Sequence, residues 1–152
     1  MTLQRWRAVL GYGGLVPFVS LALLVWLTPQ PVARFLVAMQ LAYGAMILCF
    51  VGAMHWGRSL GPDTGRVGGA TLVWSVLPSL WACLALLLSY SNRLGLIMIA
   101  AGLVLAWLLD RFVLFKAERE ADWLADFMRL RARLSAVAVL CLLTTLASPA
   151  SA

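Results

Sequence analysis

"FLVAMQLAYGAMILCFVGAMHWG", Phe35 to Gly57, contains no Asp, Glu, Lys or Arg, and its last turn holds the only histidine of the chain, His55. As a helix this stretch is long enough to cross the roughly 30 Å hydrocarbon core of a bilayer, which takes about 20 residues. Composition points the same way, with 63% hydrophobic and 12% charged residues and a mean hydropathy of +0.93 over 152 residues. Six acidic and twelve basic residues are too few to clothe a soluble core. Lipid is therefore the expected solvent for most of this chain.

Four further runs meet the same test: Ala8 to Leu27, Gly69 to Tyr90, Leu94 to Phe115 and, shortest, Leu134 to Ala147. None alternates in polarity as the strands of a membrane barrel do, and helices satisfy their own backbone in lipid. The first run exceeds the usual length of a signal-peptide core and is followed by no small-x-small cleavage site, so it reads as a span. The expected fold is all-α: a single domain over residues 1–152 with five transmembrane helices.

The basic residues orient those helices. Arg5, Arg7, Arg58, Arg66, Arg111, Lys116, Arg119, Arg129, Arg131 and Arg133 fall on one side, and only Arg34 and Arg93 on the other. The positive-inside rule then predicts a cytoplasmic amino terminus and an external carboxyl terminus. Topology accounts for the net charge of +6 without nucleic acid as a partner. Between spans four and five, residues 116–131 mix charge with Trp123, Leu124, Phe127 and Met128 at near-helical spacing, which predicts an amphipathic interfacial helix. Trp123, Phe127, Arg129, Arg131 and Arg133 read either as an elbow with snorkelling arginines or as a surface for a partner or anionic lipid.

Small residues mark the faces along which membrane helices approach one another. In span two, Ala38, Ala42, Ala45, Cys49 and Gly52 form such a stripe, with Trp56 on its continuation and His55 beside it. In span three the corresponding line is Ser75, Ser79 and Cys83. In span four Gly102 and Ala106 lead to Asp110, which turns that aspartate toward the bundle. The cysteines Cys49, Cys83 and Cys141 are odd in number and lie in separate apolar spans, so neither a disulfide framework nor a metal or redox site is expected.

With this topology the unusual side chains share the cytoplasmic leaflet: His55, Trp56 and Arg58 ending span two, Asp110 and Arg111 ending span four, and Pro17, Ser75 and Pro78 in spans one and three. The outer halves are nearly featureless apart from Gln40. Each proline removes a backbone donor and bends its helix, and their matching depths suggest two similar hairpins. An intramembrane carboxylate faces the bundle and takes a partner, for which His55, Arg58 and Arg111 are the candidates. His55 itself reads either as a titrating group between helices or as an interfacial ring bonded to a loop or water.

"LGYGGLVPF", "YGAMILCFVGAMHWG", "WSVLPSLWA" and "LLDR" together resemble the bacterial inner-membrane family designated domain of unknown function 3429, itself related to mitochondrial transmembrane protein 69. The likeness covers nearly the whole chain, and its most specific element runs from Tyr43 through Gly52, His55 and Trp56 to Gly57. It implies a small five-span inner-membrane protein and carries no catalytic role onto these positions. No catalytic triad, phosphate loop or cofactor motif is present, and no paired acidic cluster lies within the membrane. Two classes of function remain: a non-enzymatic helix-packing module, homo-oligomeric or part of a larger membrane complex, and a small transporter or channel with a pocket around His55 and Asp110.

Overall fold

A computed structural model describes residues 3–61, 68–89, 91–114 and 122–151. The described chain is helical: α1 (Leu3–Gly13), α2 (Val16–Leu27), α3 (Val32–Ser59), α4 (Gly69–Leu87), α5 (Asn92–Leu109) and α6 (Asp122–Leu146). A π-helical turn, Asp110–Leu114, extends α5, and a 3-10 turn, Pro149–Ser151, follows α6. Four segments are long and apolar enough to cross a membrane: Arg5–Leu27, Val32–Ser59, Gly69–Leu87 and Asn92–Phe112. Arg66, Lys116, Arg119 and the rest of 116–121 lie outside the described residues, as does the side chain of Trp123.

α3 is the central element and packs against α2, α4, α5 and α6. That environment decides its buried face: Ala33, Val37, Gln40, Leu41, Gly44, Ala45, Leu48, Gly52 and His55. The expected small-residue stripe is only partly right. Ala45 and Gly52 are buried and Cys49 half-buried, but Ala38 and Ala42 are exposed. Small residues alone misplace the face because bulky ones, Leu41 and Leu48 among them, are equally good packing groups once neighbours offer them glycines. Such exchanges recur. A β-carbon on Gly44 would stand 2.8 Å from Ile99, one on Gly95 would stand 2.4 Å from Leu41, and one on Gly102 would stand 2.7 Å from Leu48.

α4 shows a related shift. Its buried face is Ser75, Pro78, Ala82 and Ala85, while Ser79 is half-buried and Cys83 is exposed. Pro78 has no N–H to contribute to its helix, yet α4 runs unbroken through it. Its ring lies against α3, where a β-carbon on Gly52 would meet the Ser75 carbonyl oxygen at 2.6 Å and Pro78 Cγ at 3.1 Å. Pro17 acts differently. The first span is divided at Gly13 to Leu15, and Pro17 sits in the opening turn of α2, where its fixed φ is tolerated and no donor is lost. The Tyr43 hydroxyl donates to the Gly14 carbonyl at 2.8 Å across this break, and the Tyr43 ring meets Phe18 edge-on at 5.1 Å between centroids. The two prolines are thus not equivalent, and the hairpins that contain them do not match.

The largest correction concerns α6. Residues 122–131 do not form a helix separate from the fifth apolar run, because α6 continues without interruption from Asp122 to Leu146. The junction "RLRARLSAVAV" contains neither Gly nor Pro and is rich in good helix formers, so nothing in it ends the helix. Continuity makes one face of the whole element: Leu124, Met128, Arg131, Ala138, Cys141, Leu142 and Thr145 are all buried. α6 packs on α5 and α2.

Gly52 tests the close approach of α3 and α4. Gly52→Ala is expected to lower stability by about 1–3 kcal/mol because the blocking atom is backbone and cannot rotate away. Gly57→Ala, where nothing lies within 4 Å of the added carbon, is expected to leave the detergent-solubilised melting temperature unchanged or slightly raised.

Candidate functional site

Four side chains from three elements meet where α3 and α5 end and α6 begins. His55 closes the buried face of α3, and at the end of α5 Asp110 occupies the position prefigured by Gly102 and Ala106, both of which are buried. His55 and Asp110 are each 0% exposed. The His55 Nε2 and the Asp110 Oδ1 are 2.7 Å apart. On the other side of the ring, Arg58 Nη1 lies 3.3 Å from His55 Nδ1. A guanidinium can only donate, so Nδ1 is the acceptor and the ring proton resides on Nε2, donated to the carboxylate. His55 thus bridges Arg58 and Asp110.

The second carboxylate oxygen, Oδ2, is in contact with Arg131 Nη2, forming an ion pair without the direction of a well-formed hydrogen bond. Arg131 is 9% exposed. The charges of Asp110 and Arg131 balance inside a low-dielectric region, where either alone would be strongly unfavourable. Asp110 also opens the π-helical turn, a local widening often found where a helix presents a special side chain.

Several expectations about these residues are revised by the geometry. Asp110 does pair with His55, but its cationic partner is Arg131, not Arg58 or Arg111. Arg111 is exposed, with its guanidinium carbon 5.8 Å from the Phe112 ring centroid; consecutive helical residues point about 100° apart, so it cannot turn inward beside its neighbour. His55 is not an interfacial ring bonded to water, because it is fully buried, whereas Trp56 is 52% exposed. Ser75 stays out of the cluster and donates to the Leu72 carbonyl of its own helix at 2.6 Å. Of the expected partner surface, Arg131 points inward, Phe127 is half-buried beside Leu124 and Met128, and Arg129 and Arg133 are exposed, Arg129 paired with Asp126.

A second polar contact lies at the opposite end of the bundle, which is therefore less featureless than its sequence. Gln40 and Thr145 are both 0% exposed, and the Thr145 hydroxyl donates to Gln40 Oε1 at 2.6 Å. Nearby, Arg93 Nε donates to the Ser151 hydroxyl at 3.2 Å, which places the buried tail turn against the start of α5. Thr145 carried no signal of its own. It becomes conspicuous only when α6 is continued in register from Leu124 through Arg131.

Both His55 ring nitrogens are engaged, and among the described residues no group of three or more His, Cys, Asp or Glu is arranged to hold a metal.

A helical bundle with apolar membrane-crossing elements and a buried ionic cluster at one end defines a multi-pass integral membrane protein. The chain belongs to the family described as Protein of unknown function (DUF3429), whose profile matches residues 3–147. It is also similar to transmembrane protein 69 of Xenopus tropicalis, with 35% identity over 140 residues, covering 90% of this chain and 52% of that protein. The chain thus spans about half the length of this curated relative. No solved structure matches it.

Removing one member of the buried pair leaves the other charge uncompensated. Asp110→Asn is expected to destabilise the protein by about 3–5 kcal/mol in detergent unfolding measurements. The double replacement Asp110→Leu with Arg131→Met is expected to recover most of that loss, whereas additive effects would show that the two residues do not act as a pair.

Proposed function

We propose that the protein is a non-enzymatic helix-packing module of the bacterial inner membrane, acting as an accessory, assembly or scaffold component or as a homo-oligomer. The observation that carries this reading is the enclosure and mutual pairing of the buried cluster. His55, Asp110 and Arg131 are enclosed and mutually engaged, which is the arrangement of a lock between helices and a poor one for a group that must exchange protons with a passing solute. The Gln40–Thr145 contact closes the other end.

The proposed topology is five spans with the amino terminus inside and the carboxyl terminus outside. α6 supports a fifth crossing through two fixed points. From His55 to Gln40 along α3, and from Arg131 to Thr145 along α6, the rise is roughly 21–22 Å in each case at 1.5 Å per residue. The antiparallel helices are pinned at both levels, so α6 accompanies α3 through most of the hydrocarbon. The arginines at the α1 start, the α3 end and the α6 start favour the cytoplasm for that end.

Two measurements test the proposal. In a background with Cys49, Cys83 and Cys141 replaced by Ala, a cysteine at Ala152 is expected to react with an impermeant thiol reagent on intact cells, and one at Asp63 is expected to react only after permeabilisation. Vesicles containing the wild-type protein are expected to show the same pH-gradient decay as empty ones. A faster decay, abolished by His55→Ala, would replace the module with a transporter.

A further inference from the structure

Between α1, α2, α3, α5 and α6 lies a cavity of about 410 Å³, whose lining shares Arg131 with the ionic lock. Its volume falls within the about 300–1,000 Å³ range of small-molecule sites. Its walls are apolar, built from groups such as Leu15, Phe18, Val51, Leu103 and Ala138. Two of its lining residues, Leu10 and Phe50, are themselves 68% and 72% exposed. In a chain surrounded by lipid, these residues open the cavity sideways onto acyl chains.

The charged groups in the lining are both cationic, Arg7 and Arg131; Asp110, whose carboxylate pairs with Arg131, is not itself in the lining. Arg7 is exposed at the start of the bundle, and its neighbour in the lining, Arg131, has only part of its donor set engaged. Its Nη2 meets Asp110, but its buried Nε has no acceptor among the described residues. A buried guanidinium N–H without an acceptor is uncommon in proteins, and an anionic oxygen is its best complement. Arginine also suits phosphate in particular, because its planar fork can engage two oxygens.

From this combination we propose that the cavity binds one anionic phospholipid, with an acyl chain between α2, α3 and α6 and the phosphate at Arg7 and Arg131. The apolar volume selects the chain, and Arg7 together with the unengaged Nε of Arg131 selects an anionic headgroup. The site is separate from the module reading: the protein can bind this lipid whether or not it assembles with a partner, and a failed partner assay would leave the lipid measurement standing.

The full-length protein in dodecyl maltoside is titrated with palmitoyl-oleoyl phosphatidylglycerol or with the choline lipid of the same chains, and bound lipid is counted by native mass spectrometry. Wild type is expected to retain one phosphatidylglycerol in preference to phosphatidylcholine. Arg7→Gln, an exposed position outside the lock, is expected to reduce that preference about five-fold, the effect of one cation near an anionic headgroup. Val51→Phe, which fills the cavity, is expected to lower retention of both lipids. Equal retention of the two lipids by wild type would overturn the proposal, as would a preference unchanged in Arg7→Gln. Displacement of phosphatidylglycerol by equimolar oleate would overturn the phospholipid assignment in favour of a free fatty acid.

Discussion

The structure depends on a carboxylate that has no water to turn to. Asp110 lies fully buried at the end of an apolar helix, and an isolated charge in that setting is so unfavourable that the surrounding elements must be arranged to compensate it. α3 brings His55 to one oxygen and α6 brings Arg131 to the other. These two demands determine the rotation of both helices about their axes. The exposed positions of Trp56, Arg129 and Arg133 follow from the same rotations, as the faces left over once His55 and Arg131 have turned inward.

Away from the ends, polar chemistry gives way to shape. Lipid tails are as apolar as the side chains that leave them, so helices in a bilayer associate through close packing and interhelical hydrogen bonds. Gly44, Gly52, Gly95 and Gly102 each receive a group from another helix where a β-carbon would collide. Trp81 closes over Gly102 and donates its indole N–H to the Met98 carbonyl at 2.7 Å. The bundle is therefore pinned by ions at one end, by the Gln40–Thr145 hydrogen bond at the other, and by glycine contacts between.

Much of this was legible in the sequence, and what was not has specific causes. Apolar run lengths located the four segments long enough to cross a membrane, and the four-residue steps from Gly102 through Ala106 turned Asp110 inward. The pairing of Asp110 with His55 was among the stated candidates because both lie at the same end of antiparallel spans. Arg131 was missed because it stands among three arginines that look alike. On a helix, residues two apart point about 200° apart, so Arg131 faces away from Arg129 and Arg133, which share a side. The stripe from Leu124 and Met128 through Arg131 to Ala138, Leu142 and Thr145 contained that information. It was hidden by dividing the segment into an interfacial helix and a span. The π-helical turn and the rotation of α3 had no local signal, since both arise from contacts with other elements.

The division of α6 is itself instructive about how such a helix enters a membrane. Its apolar part, Leu134 to Leu146, is shorter than the about 20 residues that cross a bilayer unaided, and extending it toward the amino terminus takes in Arg133, Arg131 and Arg129, of which Arg131 alone is buried in the bundle. An arginine at the centre of a lone membrane helix costs about 2.5–3.5 kcal/mol to insert on biological scales. Asp110 removes that obstacle by accepting Arg131 at depth, so the proposed fifth crossing is conditional on the end of α5 already being in place. The polar first half of α6 is then no defect in a span. It pairs the last helix with α5 at one end, with Thr145 and Gln40 registering the far end. In the proposed topology, the charge that makes a lone crossing of α6 unfavourable also specifies against which neighbours it packs.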